Sequence, residues 1–503
     1  MKSFLSIFRN CYLRSLIRNH VFKNTIINIP TLEYLDDNHQ HLSVFTKDDK
    51  LNHNIYIKYS LKINQDPVEL DQFSNSIHKY LVNEIQFARG KKEETLDLGL
   101  VHDQVQRLTL YLGECVKSVN GKLPDSIVEL NIDEHYKFAD GVVCPALDSI
   151  LSDLPKNLRV LRLADEFNLS SKFQLPDSII DFQYSSTRAN LERLVISNPN
   201  KLLESAWLIV TSNEDLHWVQ DKYWINKLYV LKNVTIKIPP HVRFIEFNTD
   251  AILENLPLEL EKLRVGKLAS TQNQEPVSKI LKQYLPYLKH LELGQLEEKL
   301  EQSTYSDCLE SLYIHFYDKD IDVGVLPSNL KTLHLNSFNQ QLKIWSLPNS
   351  ITDLALMSYN QPLRPSTMPT QLKKLNLSKF NNTIEANSFP DSLTSLQLDG
   401  YQGSFEHVGK LNNLNNLKVD VLNQSIVDIL ANTITIGFNT IAENTSFART
   451  SITDLCLWDT TWGDVKTLPD NFLPPNLVYL ELVNFKINSD KIPLGCKVVH
   501  KNY

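Results

Sequence analysis

From Leu288 onward the chain repeats one arrangement of apolar and polar positions, apolar-x-x-apolar-x-apolar. It falls at Leu288/Leu291/Leu293, Leu309/Leu312/Ile314, Leu330/Leu333/Leu335 and Ile351/Leu354/Leu356. It returns at Leu372/Leu375/Leu377, Leu393/Leu396/Leu398 and Leu414/Leu417/Val419. Each triplet follows the last by 21 residues, and chance does not hold register over seven copies. Alternation inside the triplet predicts a short strand, with Leu333 and Leu335 entering a core while Thr332, His334 and Asn336 point outward. Looser copies stand at Ile127/Leu130/Ile132, Leu158/Leu161/Leu163, Ile179/Phe182/Tyr184, Leu260/Leu263/Val265, Ile452/Leu455/Leu457 and Leu477/Leu480/Leu482. The array is therefore predicted over 101–503, with an irregular insertion near 197–240 marked by Trp207, Trp218, Trp224 and the charged stretch 213–221.

Other positions keep the same phase. Leu326-Pro327, Leu347-Pro348, Met368-Pro369 and Phe389-Pro390 punctuate successive units, because proline fixes φ and donates no backbone hydrogen bond. An aromatic follows each strand at Phe338, Tyr359, Phe380 and Tyr401, then Asn339, Asn360, Asn381 and, in the fourth unit, Gln402. Stacked aromatics would fill the wider part of the core. Aligned asparagines would bond the backbone of neighbouring turns. A lone unit buries too few side chains to offset the ordering of its backbone, so stability has to come from stacking. The short period leaves little room for helices. The predicted fold class is mainly β, a curved solenoid of ~21-residue units like a leucine-rich repeat.

The segments FNQQLKIWSLP (338–348), YNQPLRPSTMP (359–369) and FNNTIEANSFP (380–390), each followed by a Leu-x-x-Leu-x-Leu strand, resemble FNIP repeats. That family is a leucine-rich-repeat variant of social amoebae and giant viruses. The match is specific over 326–419 and good over 154–184, whereas YQGSFEHVGKL (401–411) departs from the pattern in both its Asn and its Pro. The resemblance implies a solenoid used for protein–protein interaction and no known activity. Some members carry an F-box-like segment ahead of the repeats, which implies a substrate adaptor of a ubiquitin ligase contacting a Skp1-type protein.

Residues 1–30 stand apart. Phe4, Ile7, Phe8, Cys11, Tyr12, Ser15, Leu16 and His20 trace a largely apolar stripe at helical spacing, and Lys2, Arg9, Arg14, Arg18 and Lys23 supply only positive charge. This basic amphipathic helix reads as a cap for the solenoid, as an F-box-like docking element or as a mitochondrial presequence. Residues 31–100 are predicted to form a small α+β cap. In it Ile55, Ile57, Tyr59, Leu61 and Ile63 alternate as a strand, and Leu70, Phe73, Ile77, Tyr80, Leu81 and Ile85 space as a helix closed by Gly90.

Composition narrows the function. A net charge of −8 over 503 residues gives no dense basic face for nucleic acid. The longest apolar run, Ala206–Val210, is far too short to span a membrane. Six cysteines without a close pair fit reduced thiols in the cytoplasm. No phosphate loop, G-x-S-x-G elbow, H-E-x-x-H or C-x-x-C is present, so neither an enzyme nor a cofactor or metal site is expected. His39 and His41, and the carboxylate pairs Asp36/Asp37, Asp48/Asp49 and Glu93/Glu94, read as surface-loop groups. A protein partner is expected to bind the outward strand columns of the concave face, at Tyr313, His315, His334, Met357, Lys374 and Gln397.

Overall fold

The structure, a computed structural model, describes residues 11–61, 72–88, 95–113, 116–134, 143–165, 167–198, 200–269, 277–302, 305–430, 434–461 and 465–501. The chain divides into two units, Met1–Tyr229 and Val230–Tyr503. Both are mainly β, each a solenoid whose successive coils contribute one strand to a parallel ladder.

In the second unit the strands Ser311–Phe316, Thr332–Leu335, Asp353–Ala355, Lys374–Asn376, Ser395–Leu398 and Asn416–Val419 pair in sequence order. Parallel neighbours need a crossover, and here each coil is the crossover. Because the coils have one length, residue i always meets residue i+21. Leu312, Leu333, Leu354, Leu375, Leu396 and Leu417 form one continuous column, each at most 2% exposed. The ladder extends on one side to Phe244–Phe247 and on the other to Lys497–Lys501. Past Val419 the coils change length, and the helix Gln424–Asp428 takes up part of the next one.

The punctuation has the expected geometry. The carbonyls of Pro327, Pro348, Pro369 and Pro390 accept from Leu330, Ile351, Leu372 and Leu393 at 3.1–3.2 Å, closing the turn into each strand. Phe338 stacks on Tyr359 at 6.3 Å, and Phe380 on Tyr401 at 5.7 Å. The asparagines form a hydrogen-bonded column. Asn339 Oδ1 accepts from the Asn360 N–H at 2.8 Å, Asn360 Oδ1 from Asn381 at 2.9 Å, and Asn381 Oδ1 from Gln402 at 3.2 Å. Asp318 supplies the first rung to the Asn339 N–H at 2.8 Å. One further column was not read from the sequence. Gly324, Trp345, Ser366 and Asn387 all hold left-handed φ, at 79°, 63°, 62° and 60°. After the last three, the buried Ser346, Thr367 and Ser388 hydroxyls donate to carbonyls three residues back at 2.7–2.8 Å.

In the first unit the ladder starts earlier than expected. Ile26–Ile29 pairs with Tyr56–Leu61, then come Glu84–Ala88, Arg107–Leu112, Glu129–Glu134, Val160–Leu163, Asp181–Thr187 and Ala206–Val210. The N-terminal end is α+β in character, but residue 100 is no boundary in the ladder, because its strands already belong to it. Coils between Ile29 and Tyr56, and between Glu134 and Val160, are long because they carry helices. These are Leu32–Leu42 and Lys47–His53 in the first and Pro145–Leu151 in the second. Nor does the stretch from 197 leave the array within this unit, since Tyr184 pairs with Ala206 and Thr187 with Ile209.

Several local expectations change. Residues 72–75 are helical, but Lys79–Leu81 forms only a short 3₁₀ turn and Ile85 lies in a strand, because pairing with Tyr56–Leu61 outweighs a helical spacing whose Ile77 and Tyr80 are exposed. The basic N-terminal helix is described over Cys11–Val21, and the strand Ile26–Ile29 follows it before Pro30; its residues 4–8 lie outside the described residues. Of its apolar stripe, Tyr12 and Leu16 are exposed, as are Ile17 and Val21 beside them, while Asn19 is buried. Arg18 and Asn19 instead bond Asp49, which also closes a capping box with Thr46 at the start of Lys47–His53. Asp36, Asp37, His39 and His41 lie on the helix Leu32–Leu42, not in a loop, and His39 stacks on His78 at 4.2 Å. Glu93 and Glu94 lie outside the described residues.

Candidate functional site

Strand alternation buries one set of side chains and leaves the other on an outward face. In the second unit the central outward column reads Glu292, Tyr313, His334, Ala355, Asn376, Gln397 and Lys418. The adjacent column reads His290, Ser311, Thr332, Asp353, Lys374 and Ser395.

Three of the six expected residues are brought together. The Tyr313 ring meets His334 edge-on at 4.5 Å. His334 Nε2–H donates to Asp353 Oδ1 at 3.1 Å, and Lys374 Nζ lies 3.9 Å from the other carboxylate oxygen. The His334 hydrogen bond, with Lys374 adding its charge, holds the Asp353 carboxyl below the usual carboxylate range. Burial pushes the Tyr313 phenol up. Asp353 is thus the hub of the cluster, and it was legible only as one position in a column.

The other three point elsewhere. His315 Nε2–H donates to Glu292 at 3.0 Å and its Nδ1 accepts from Asn336 at 2.8 Å, so its ring belongs to a second network. Arg264 continues that network by bonding Glu292 and Glu246. Gln397 donates to Asp399 at 2.6 Å, and Lys418 meets the same carboxylate at 2.9 Å. Met357 lies two residues past its strand and is exposed. Between His334 and Gln397 the column carries only Ala355, buried by its neighbours, and Asn376. The result is a rigid aromatic lip beside a low floor.

A feature missed in the sequence lies further along. Lys418 sits over the Trp458 ring at 5.1 Å, and that ring lies across Gly437, where any Cβ would come within 2.3 Å of it. Coils of unequal length hid this alignment. Among the described residues no group of three or more His, Cys, Asp or Glu could hold a metal ion. Among them, too, no helix is long and apolar enough to cross a membrane.

Comparison with known proteins matches residues 317–358 and 359–401 to the FNIP Repeat family, so this block consists of FNIP repeats. The matched block begins at Tyr317-Asp318, one coil before the asparagine series read from the sequence. No curated protein matches significantly. Among solved structures the chain is similar to CroV588, described as a novel circular LRR protein, at 19% identity. That match covers 88% of this chain and 69% of the other, with a TM-score of 0.46. It is also similar to a chain of the mouse RP105/MD-1 complex at 13% identity, covering 82% of this chain and 89% of that one, with a TM-score of 0.36.

Proposed function

We propose that this FNIP-repeat solenoid is a non-catalytic scaffold that holds a protein partner on the outward strand face of its second unit, around Tyr313 and His334. The observation that carries the reading is the fixed chain Tyr313–His334–Asp353–Lys374 beside the low floor at Ala355 and Asn376. Side chains already held in place lose little entropy on binding, and tyrosine is favoured at interface centres. The neighbouring charges are of both signs, Glu292 and Asp353 against Lys374 and Lys418, which suits a polar polypeptide and not a polyanion.

The test is affinity capture from the source cells with the full chain and with a Tyr313→Ala/His334→Ala variant, followed by mass spectrometry. Both side chains are partly exposed, so the variant keeps the melting profile of the parent. Its partners should be recovered about tenfold less efficiently, a loss of roughly 1.4 kcal/mol. Equal recovery would remove this face from consideration.

A further inference from the structure

We infer that the outward face of the first unit carries a separate ligand site, a polar cavity that takes a carboxylate side chain from an acidic polypeptide segment. The cavity is about 370 Å³, at the small end of ligand pockets, and lies among Lys58, Glu84, Arg107, Glu129 and Arg162. Its origin is the strand register. Thr109 pairs with Asn131 and Asn131 with Arg162, so two short side chains sit beside the long charged ones of the next column and leave a gap.

The wall is set before any ligand arrives. Glu84 takes Lys58 at 3.5 Å and Arg107 at 3.2 Å. Glu129 takes Arg107 at 3.0 Å and also Arg162. The Arg107 guanidinium lies over the Tyr56 ring at 4.4 Å, and Gln86 donates to the Tyr111 hydroxyl at 2.7 Å on the opposite wall. Three cations thus share two carboxylates, and both carboxylates are already divided between two partners. One positive charge is left over. It falls to the two ends of the series, Lys58 and Arg162, each bonded to one of the two carboxylates where Arg107 is bonded to both. A ligand carboxylate can accept from the remaining guanidinium N–H groups, with the Thr109 hydroxyl and Asn131 amide as neutral donors nearby. These side chains are only a quarter to a third exposed, so the attraction is less screened than at an open surface.

The chain as a whole is negative, at −8, so long-range attraction does not hold an acidic peptide; a local site has to. The experiment is fluorescence anisotropy of a labelled hexaglutamate peptide against the full chain at low salt. Binding is expected, weakened about tenfold or more by Arg162→Gln and equally by Thr109→Gln, which narrows the gap without changing charge. Arg162→Gln leaves Glu129 paired with Arg107, and a thermal melt checks that both variants fold. The Tyr313→Ala/His334→Ala variant should bind the peptide like the parent, which separates this site from the face proposed above. Three results would each overturn the assignment: equal binding by both cavity variants, equal binding of hexaglutamine, or displacement of the peptide by inorganic phosphate at matched concentration.

Discussion

Single residues show most directly where the repeat tolerates cost. Trp345 stands in a column whose other members are Gly324, Ser366 and Asn387, and all four hold left-handed φ. Glycine and asparagine adopt that conformation readily, whereas a bulky side chain there costs about 1–2 kcal/mol. Trp345 is 75% exposed and has little packing to lose. Trp345→Gly should therefore stabilise the chain by roughly 0.5–1 kcal/mol after the extra freedom of glycine in the unfolded state, read as a rise in denaturation midpoint. No rise would mean that the ring makes compensating contacts. Lys50 makes a different case. It is 5% exposed, donates to the Leu81 carbonyl at 2.7 Å, and burial lowers its pKa to about 8. Between about pH 8 and the unfolded value near 10.4 the unfolded chain binds the extra proton, so stability rises with pH across that window. Chemical denaturation at pH 8 and pH 10 should show this gain in the parent. Lys50→Met should lack it, whatever its effect at neutral pH; the same gain in both proteins would assign it to another group.

At the scale of elements, the asparagine column explains how a coil without helix satisfies its backbone. Each Oδ1 accepts the N–H of the residue 21 positions on, doing for the turn what the strand ladder does for the triplet. Asn360→Ala removes one rung and should cost about 0.5–1.5 kcal/mol, whereas Asn360→Asp should be close to neutral because Asp318 already fills the same role. Equal losses in both variants, measured by urea unfolding, would show that the amide donor and not the acceptor oxygen matters. Spacing along the chain does not say which neighbour an element meets, and Ile85 shows the consequence. Ladder pairing took Ile85 into a strand, and at the N-terminal helix Cys11–Val21 the Asp49 carboxylate holds the polar Arg18/Asn19 side.

For the molecule as a whole, stability in a solenoid is close to a sum over coils and their contacts with neighbours. Removing residues 359–379 deletes one period and rejoins Ser358 to Phe380 in the same phase, so the shortened chain should keep a cooperative melt. Removing 359–368 breaks the phase and should abolish it; a chain indifferent to phase in circular dichroism melts would refute the in-register stack. The regular block was legible beforehand because one coil length makes every core column visible as a period, from Leu312 to Leu417 and from Asn339 to Gln402. By itself, then, the sequence determined the repeat, its buried leucines, its stacked rings and the outward set from which a site would be drawn, since each follows from local alternation and a constant period. Only the tertiary structure decided which coils of unequal length stack together, that the ladder reaches back to Ile26, and how outward side chains combine. Asp353 gathers His334 and Lys374, Trp458 covers Gly437, and Arg107 and Arg162 share Glu129, because a period sets which residues stand side by side but not which way their side chains turn.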